Sequence, residues 1–266
     1  MKRTYKFVCL GLTAVLAGVG LHATAASKAS WEASQFLTPN PKPAQRFGNV
    51  FSIAHSIKGD GFDEIVRRNG GTAEYAMVKV TADKLTFSVN GRYDGQPPDV
   101  GVVNEMSDGG KMNCWAGQCR TYTDASGLLY NEFLWGKTPR KIAPGTTWSV
   151  DIGQAWEMGP AAKQQITVVA VDPVAHAATL LREGHGDGAY ANEPKQIHIK
   201  HDGKTYLVDL IPGEAHWKGY TTFRAGFVQS DELVMERTVT LRSAELGELK
   251  ASERFLMLLN ATPEES

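Results

Sequence analysis

The sequence predicts an all-β fold, mainly antiparallel, arranged as a curved sheet, a partly open barrel or a β-sandwich, with at most one or two short helices. Two observations support this prediction. Short segments of alternating apolar and polar residues recur along the chain, and clusters of turn residues separate them. Hydrophobic residues make up 42% of the 266 residues and charged residues 21%, so the chain can bury a core.

The hairpin signal is clearest at residues 196–210. Asp202-Gly203 is a favoured two-residue type I′ turn, and apolar residues alternate on both sides of it. This turn predicts the cross-strand pairs His201 with Lys204, Ile199 with Tyr206, and Ile197 with Val208. The turn chemistry and the hydrophobic alternation agree, because this pairing puts the apolar side chains on one face.

Similar patterns predict the remaining strands, and the helical signal is sparse. Residues 60–69 have the apolar spacing and end charges of one short helix, although a continued hairpin through residues 59–61 fits almost as well. The other expected strands are residues 51–57, 73–80, 84–92, 119–123, 128–135, 146–152, 165–171, 177–182, 233–242 and 251–259.

The first 25 residues have the layout of a secretory signal peptide. Three cations come first, an apolar run covers residues 7–19, and residues 23–25 offer an A-x-A cleavage site. An uncleaved N-terminal anchor is the alternative. We therefore expect an exported protein, periplasmic or secreted. No later stretch has the roughly 18 apolar residues of a membrane-spanning helix, so no stable span is expected after cleavage.

The rest of the chain divides into a leader and a domain. Residues 26–45 are a Pro-rich leader that we expect to lie across the surface or stay loose, because three prolines within residues 39–43 fit neither a helix nor a paired strand. Residues 46–266 are expected to form a single β-rich domain. Two prolines make residues 137–145 a candidate boundary between two sub-sheets.

Two cysteines, Cys114 and Cys119, remain after signal cleavage. Oxidising conditions outside the cytoplasm favour a disulfide between two cysteines this close together. Redox dithiols usually have two residues between their cysteines, whereas this pair has four. The disulfide is therefore expected to stabilise a surface loop.

Several function classes are disfavoured. A formal net charge of −1 lacks the basic excess that drives nucleic-acid binding. The sequence also lacks the G-x-S-x-G, phosphate-loop, dinucleotide-binding and H-E-x-x-H motifs, so no cofactor is predicted.

Three groups of side chains are candidates for chemistry or binding. Asp151 and Glu157 are a carboxylate pair that could hydrolyse a glycoside bond. Exposed tryptophans can stack on sugars or line an apolar cavity, and the candidates are Trp115, Trp135, Trp148 and Trp156. Imidazoles can bind zinc or copper, and the candidates are His185, His198 and His201, although His198 and His201 point to opposite faces of a straight strand.

Charged residues along the late strands are interpreted as cross-strand ion pairs on a solvated face. These residues are Glu232, Glu236, Arg237, Arg242, Glu253 and Arg254. Pairs of this kind usually add little stability.

The leading hypothesis is an exported, non-catalytic β-protein that binds an apolar or lipidic ligand, or has a structural role in the cell envelope. The alternative is a hydrolase acting on polysaccharide or another envelope polymer. An outer-membrane barrel is a third interpretation. The polar end of the sequence, without a closing aromatic residue, disfavours it.

Overall fold

The computed structural model describes residues 29–121 and 127–262, and it confirms the all-β prediction. About 66% of the described residues lie in strands, and the described helices are two single turns. The strands form one large curved antiparallel sheet that does not close into a barrel. The predicted signal peptide, residues 1–25, lies outside the described residues.

The described strands range in length from 2 to 21 residues. In chain order they are β1 (Trp31–Glu32), β2 (Arg46–Gly59), β3 (Ile65–Val80), β4 (Lys84–Tyr93), β5 (Asp99–Ser107), β6 (Met112–Trp115), β7 (Gln118–Thr121), β8 (Lys141–Ile142), β9 (Thr147–Ile152), β10 (Ala162–Asp172), β11 (Ala177–Asp187), β12 (Gln196–His201), β13 (Lys204–Arg224), β14 (Phe227–Ser243) and β15 (Gly247–Thr262). The helices are α1 (Ser34–Leu37) and α2 (Glu132–Trp135), and a 3₁₀ turn covers Asp108–Gly110.

Within residues 29–121 and 127–262, the main sheet has 13 strands in two meandering halves. The order is β7-β6-β5-β4-β3-β2-β15-β14-β13-β11-β10-β9, and β12 pairs with β13 beside β11. β15 lies between β2 and β14, so it joins the N-terminal half, β2–β7, to the C-terminal half, β9–β14. β1 and β8 form a separate two-stranded sheet.

The hairpin predicted at Asp202-Gly203 is present with the predicted register. His201 pairs with Lys204, Ile199 with Tyr206, and Ile197 with Val208. Asp202 and Gly203 both have positive φ, as a type I′ turn requires.

Two local expectations are wrong. Residues 60–69 form no helix, because Ile65 pairs with Ile57 and the segment continues the hairpin as β3. Residues 128–135 are not a strand, because Asn131 caps the helical turn α2. In the first segment, pairing with β2 outweighs the local helical pattern. In the second segment, the Asn131 cap outweighs the local strand pattern.

The inner face of the sheet carries three apolar clusters. The first lies under the C-terminal half, the second lies under the β12–β13 hairpin, and the third lies under β3, β4 and β5. The segment predicted as a leader adds Ala33, Phe36 and Leu37 to the first cluster. Residues 137–145, the predicted sub-sheet boundary, connect α2 to β9 and contain β8.

Among the described residues, no helix is long and apolar enough to cross a membrane.

Candidate functional site

A proline-rich segment crosses the edge of the third apolar cluster. We call this segment, residues 38–45, the strap. At one end, the amide of Gly226 donates a 2.7 Å hydrogen bond to the carbonyl of Phe36, just before the strap. At the other end, Met77 of β3 exchanges two backbone hydrogen bonds with the strap, at 2.9 and 2.8 Å. Its prolines have no amide hydrogen, so between these ends the strap is poorly suited to extend the sheet.

A groove of about 400 Å³ runs between the strap and the sheet. We call it the strap groove. Its walls are the first half of the strap, the β3–β4 turn, the 3₁₀ turn and residues 129–132. Its apolar lining comes from Leu37, Val80, Leu85, Met106 and Leu129. This volume lies within the range of small-molecule sites.

A second groove of about 810 Å³ borders the other half of the strap. Asn40 lines both grooves. Phe47 and Phe227, whose ring centres are 5.0 Å apart, line the second groove together with Lys42 and Arg224. The strap therefore separates two openings that both reach the apolar side chains of the third cluster.

The tryptophans predicted as ligand contacts are placed differently. Trp135 and Trp156 are fully buried in the first cluster, and Trp148 packs against it. The indole of Trp148 donates a 2.6 Å hydrogen bond to the carbonyl of Trp135. Trp115 packs against the third cluster. None of the four lines the strap groove.

The two residues of the predicted carboxylate pair, Asp151 and Glu157, lie in different parts of the structure. The side chain of Asp151 is 83% exposed on β9, and its oxygen lies 3.8 Å from the ammonium of Lys163. Glu157 follows the buried Trp156 in the turn between β9 and β10. The hydrolase interpretation stays a prediction.

The three predicted histidines have different neighbours. His198 is exposed on β12. His201 contacts the carbonyl of Gly61 through its ring nitrogen. His185 stacks on His216 with ring centres 5.9 Å apart. In the part of the chain that the structure covers, no group of three or more His, Cys, Asp or Glu residues could hold a metal ion.

Cys114 and Cys119 face each other across the β6–β7 hairpin. Their sulfur atoms are 2.07 Å apart, at disulfide distance. Among the described strands, β7 is the outermost strand of the N-terminal half, so the predicted disulfide would join an edge strand to its neighbour β6.

A buried charged network lies where the two halves of the sheet meet. Glu253 of β15 accepts a hydrogen bond from Arg237 Nε at 2.5 Å, and its other carboxylate oxygen is 2.6 Å from His55 Nε2. Arg237 also contacts Glu193, and its guanidinium lies 4.6 Å from the centre of the Tyr190 ring. The network ties the β11–β12 connection to the sheet.

This network corrects the interpretation of the late-strand charges. Arg254 and Glu236, 3.2 Å apart, are exposed as expected. Arg237 and Glu253 are buried, because they lie on the inner face with Met235 and Met257. The sequence does indicate that Arg237 points inward. Side chains alternate between the two faces of β14, and Arg237 has the same parity as the apolar positions 233, 235 and 239.

Burial raises the pKa of Glu193, although the hydrogen bond and charge of Arg237 oppose the shift. For Arg237, burial favours a lower pKa, but the two carboxylates raise it above its ordinary value. Burial also raises the pKa of Tyr190. The negative charge of Glu253 adds to this shift, and the positive charge of Arg237 opposes it.

Replacing Glu193 by glutamine should flatten the pH dependence of stability. With a raised pKa, the folded protein binds more protons than the unfolded chain between the ordinary and the raised value. The free energy of unfolding therefore falls as pH rises through that window. Glutamine keeps the contact with Arg237 and removes this titration. Urea unfolding from about pH 4.5 to about 7.5 measures the slope.

The matched control is Glu183→Gln, at an exposed glutamate paired with Lys218 at 2.9 Å. The wild type and Glu193→Gln share the other charged groups around this site, which are His55, Glu253, Tyr190 and Arg67. The difference between the pH slopes of these two proteins therefore isolates the contribution of Glu193. Equal slopes for the wild type and Glu193→Gln would contradict the burial argument.

A groove of about 760 Å³ with several charged lining residues lies on the opposite face of the C-terminal half. Its charged lining residues include Lys163, Glu183, Lys218, Glu232 and Glu236. The cation of Lys218 is neutralised by Glu183. This mixture of opposite charges favours no single charged ligand, and we place the candidate site at the strap.

Comparisons with known proteins assign no family to the chain. No protein-family model matches it, and no curated protein matches it significantly. A solved structure on lipid–protein interactions in lipovitellin aligns with 85% of this chain at 9% identity and a TM-score of 0.37. This chain covers 26% of the lipovitellin chain, about a quarter of its length.

Two further solved structures align at lower scores. Ail, the attachment invasion locus protein of Yersinia pestis, aligns over 83% of this chain and 100% of its own, with 7% identity and a TM-score of 0.24. A DUF3598-family protein of unknown function from Nostoc punctiforme aligns over 79% and 94%, with 8% identity and a TM-score of 0.15. None of these similarities assigns a function.

Proposed function

We propose that this is an exported, non-catalytic binding protein that holds an apolar or lipidic ligand in the strap groove. The observation that carries the proposal is the groove itself, which gives a ligand access to apolar side chains at the edge of the third cluster. Burial of apolar ligand surface against such side chains favours binding.

The construction of the groove supports a binding role. Its floor comes from β3, β4 and β5, which are paired in the sheet and hold Val80, Leu85 and Met106 in place. Its outer wall is the strap, which is fixed to the rest of the protein at both ends. A site on a rigid floor loses little conformational freedom when a ligand binds.

The export and disulfide predictions fit this role. The signal-peptide layout of residues 1–25 and the cysteine pair at disulfide distance both favour an oxidising compartment outside the cytoplasm. A structural role in the envelope is compatible with the same sheet, but it would not require an accessible apolar groove.

Binding of a fluorescent apolar probe tests the proposal. We expect purified protein, stripped of lipid by organic extraction and refolded, to bind 1-N-phenylnaphthylamine with increased fluorescence. Leu85→Gln places an amide in the groove and should weaken binding about fivefold, the factor for about 1 kcal/mol. Val80→Thr is a milder change with a similar shape, and it should act in the same direction.

The matched control is Leu207→Gln, because Leu207 is 49% exposed on β13 and lines none of the three grooves. Circular dichroism checks that each variant is folded. No probe binding by folded wild-type protein, or equal loss in the Leu85 and Leu207 variants, would overturn the proposal. Mass spectrometry of the organic extract would identify a co-purified ligand.

A further inference from the structure

Asn131 is one of the residues that line the strap groove, and its buried side chain has an unused hydrogen-bond donor. Its side chain is almost completely buried, at 2% exposure. The Oδ1 atom accepts a 3.0 Å hydrogen bond from the amide of Leu134 and so caps the N-terminus of α2. Across the described ranges, 29–121 and 127–262, the Nδ2 atom has no hydrogen-bond partner. A buried amide donor without a partner is unfavourable, so an incoming acceptor would be stabilised there.

The backbone around Asn131 holds this side chain in place. A Cβ atom added to Gly110 would lie 2.4 Å from the Cβ of Asn131, so the 3₁₀ turn packs directly against it. Both residues line the strap groove. The bond to Leu134 fixes which side-chain atom accepts, and therefore leaves the NH₂ group as the donor.

The charges of the groove indicate which acceptor fits. Its charged lining residues are Asp83, Lys84 and Glu132. The ammonium of Lys84 is already 2.8 Å from the carboxylate of Glu105. The remaining charge in the groove is negative, so it disfavours a carboxylate ligand and favours a neutral carbonyl oxygen.

We infer that the ligand of the strap groove is a neutral acyl ester. Its carbonyl oxygen accepts a hydrogen bond from Asn131 Nδ2, and its acyl chain lies against the apolar lining formed by Val80, Leu85 and Leu129. This inference rests on the proposed function, because it names the ligand class of the same site. Esters of glycerol, as in membrane lipids, carry this chemistry.

Three probes of similar chain length separate the contributions of carbonyl and charge. Methyl decanoate has a neutral carbonyl, undecane has no oxygen, and decanoate has a charged carboxylate. Each is added at neutral pH to displace 1-N-phenylnaphthylamine from the purified protein. We expect the ester to bind about fivefold more tightly than undecane, the effect of one net hydrogen bond, and more tightly than decanoate.

The variant Asn131→Asp tests the donor. Aspartate keeps an oxygen that accepts from the amide of Leu134 and is an equally good cap, but it replaces the donor by a second acceptor. We expect it to remove the preference for the ester and to leave undecane binding unchanged. Asn90→Asp is the matched control, because Asn90 is an exposed residue whose Oδ1 also accepts from a backbone amide, that of Gly101.

The outcomes separate the two proposals. Equal binding of ester and undecane, tighter binding of decanoate, or an ester preference that survives Asn131→Asp would each overturn the ester assignment and leave apolar binding standing. Failure of all three probes to displace the dye would overturn both. Infrared spectra of the wild-type complex give a readout that needs no variant. The ester carbonyl band should shift to lower wavenumber than in hexane, and an unshifted band would contradict the hydrogen bond.

Discussion

Replacing Asp231 by alanine is expected to lower the free energy of unfolding by roughly 3–5 kcal/mol, the cost of breaking a buried ion pair. The carboxylate of Asp231 lies 2.8 Å from Arg182 Nη2, and both side chains are 0% exposed. Thr221 donates a second hydrogen bond to the same carboxylate. The guanidinium also faces the ring of Trp135 at 4.9 Å. Without Asp231, a buried cation would lose the carboxylate that lies 2.8 Å from it.

Urea unfolding followed by circular dichroism measures this loss. Glu236→Ala is the control, because Glu236 and Arg254 form an exposed pair whose removal should cost about 1 kcal/mol or less. Replacing the buried pair together, as Arg182→Met with Asp231→Leu, should be much less damaging than Asp231→Ala alone. If Asp231→Ala cost no more than the control, the ion pair would have no part in stability.

The second large effect is expected for Gly184→Ala, which should destabilise the protein by about 3 kcal/mol, the upper end of overpacking costs. Gly184 pairs across β11 and β13 with Trp217. A Cβ atom at this glycine would lie 2.1 Å from Cζ2 of the indole. The indole is confined, because its nitrogen donates a 2.9 Å hydrogen bond to Gln164 and its ring packs edge-on against Trp156 at 5.5 Å.

A double-mutant cycle distinguishes this collision from a general intolerance of β11 to alanine. In a Trp217→Leu background, Gly184→Ala should cost much less than in the wild type. Gly153→Ala is the control, since a Cβ atom at Gly153 meets nothing within 4 Å. Equal costs of Gly184→Ala in both backgrounds would exclude the collision as the cause.

The sequence predicted local pairing well because hairpins are encoded by neighbouring residues. The Asp202-Gly203 turn and the phase of the apolar residues around it were enough to predict every tested pair of β12 and β13. Residues 73–80 and 84–92 were also expected to be strands, and they pair in the β3–β4 hairpin with Val80 opposite Leu85. Residues 60–69 were ambiguous, because their spacing suits a helix and only pairing with β2 decides otherwise.

The buried charges were less accessible to sequence reasoning, because their partners are far apart in the chain. Arg182 and Asp231 are separated by 49 residues, and His55 and Glu253 by 198. Their positions in the alternating pattern of each strand predict that these charged side chains point inward, but the pattern does not identify the residue with which each one pairs. The late-strand charges were therefore assigned to the surface as a group, although Arg237 and Glu253 are buried.

The strap groove could be predicted in its parts but not as a site. The proline cluster and the two strands of the β3–β4 hairpin were predicted from residue patterns. Their meeting depends on the backbone bonds between the strap and Met77, and on Leu129 arriving from a different part of the chain. Two of the tryptophans predicted as ligand contacts, Trp135 and Trp156, are instead fully buried core residues.

The position of β15 between β2 and β14 has a consequence for biogenesis. Each half of the sheet can fold from consecutive hairpins, but the seam between them closes only when the last strand is available. Until synthesis reaches that strand, β2 and β14 each present a long bare edge, and bare edges recruit other chains into aggregates. Pairing of β15 with both strands therefore protects these two edges, and a chain that folds before β15 is available leaves them open to other chains.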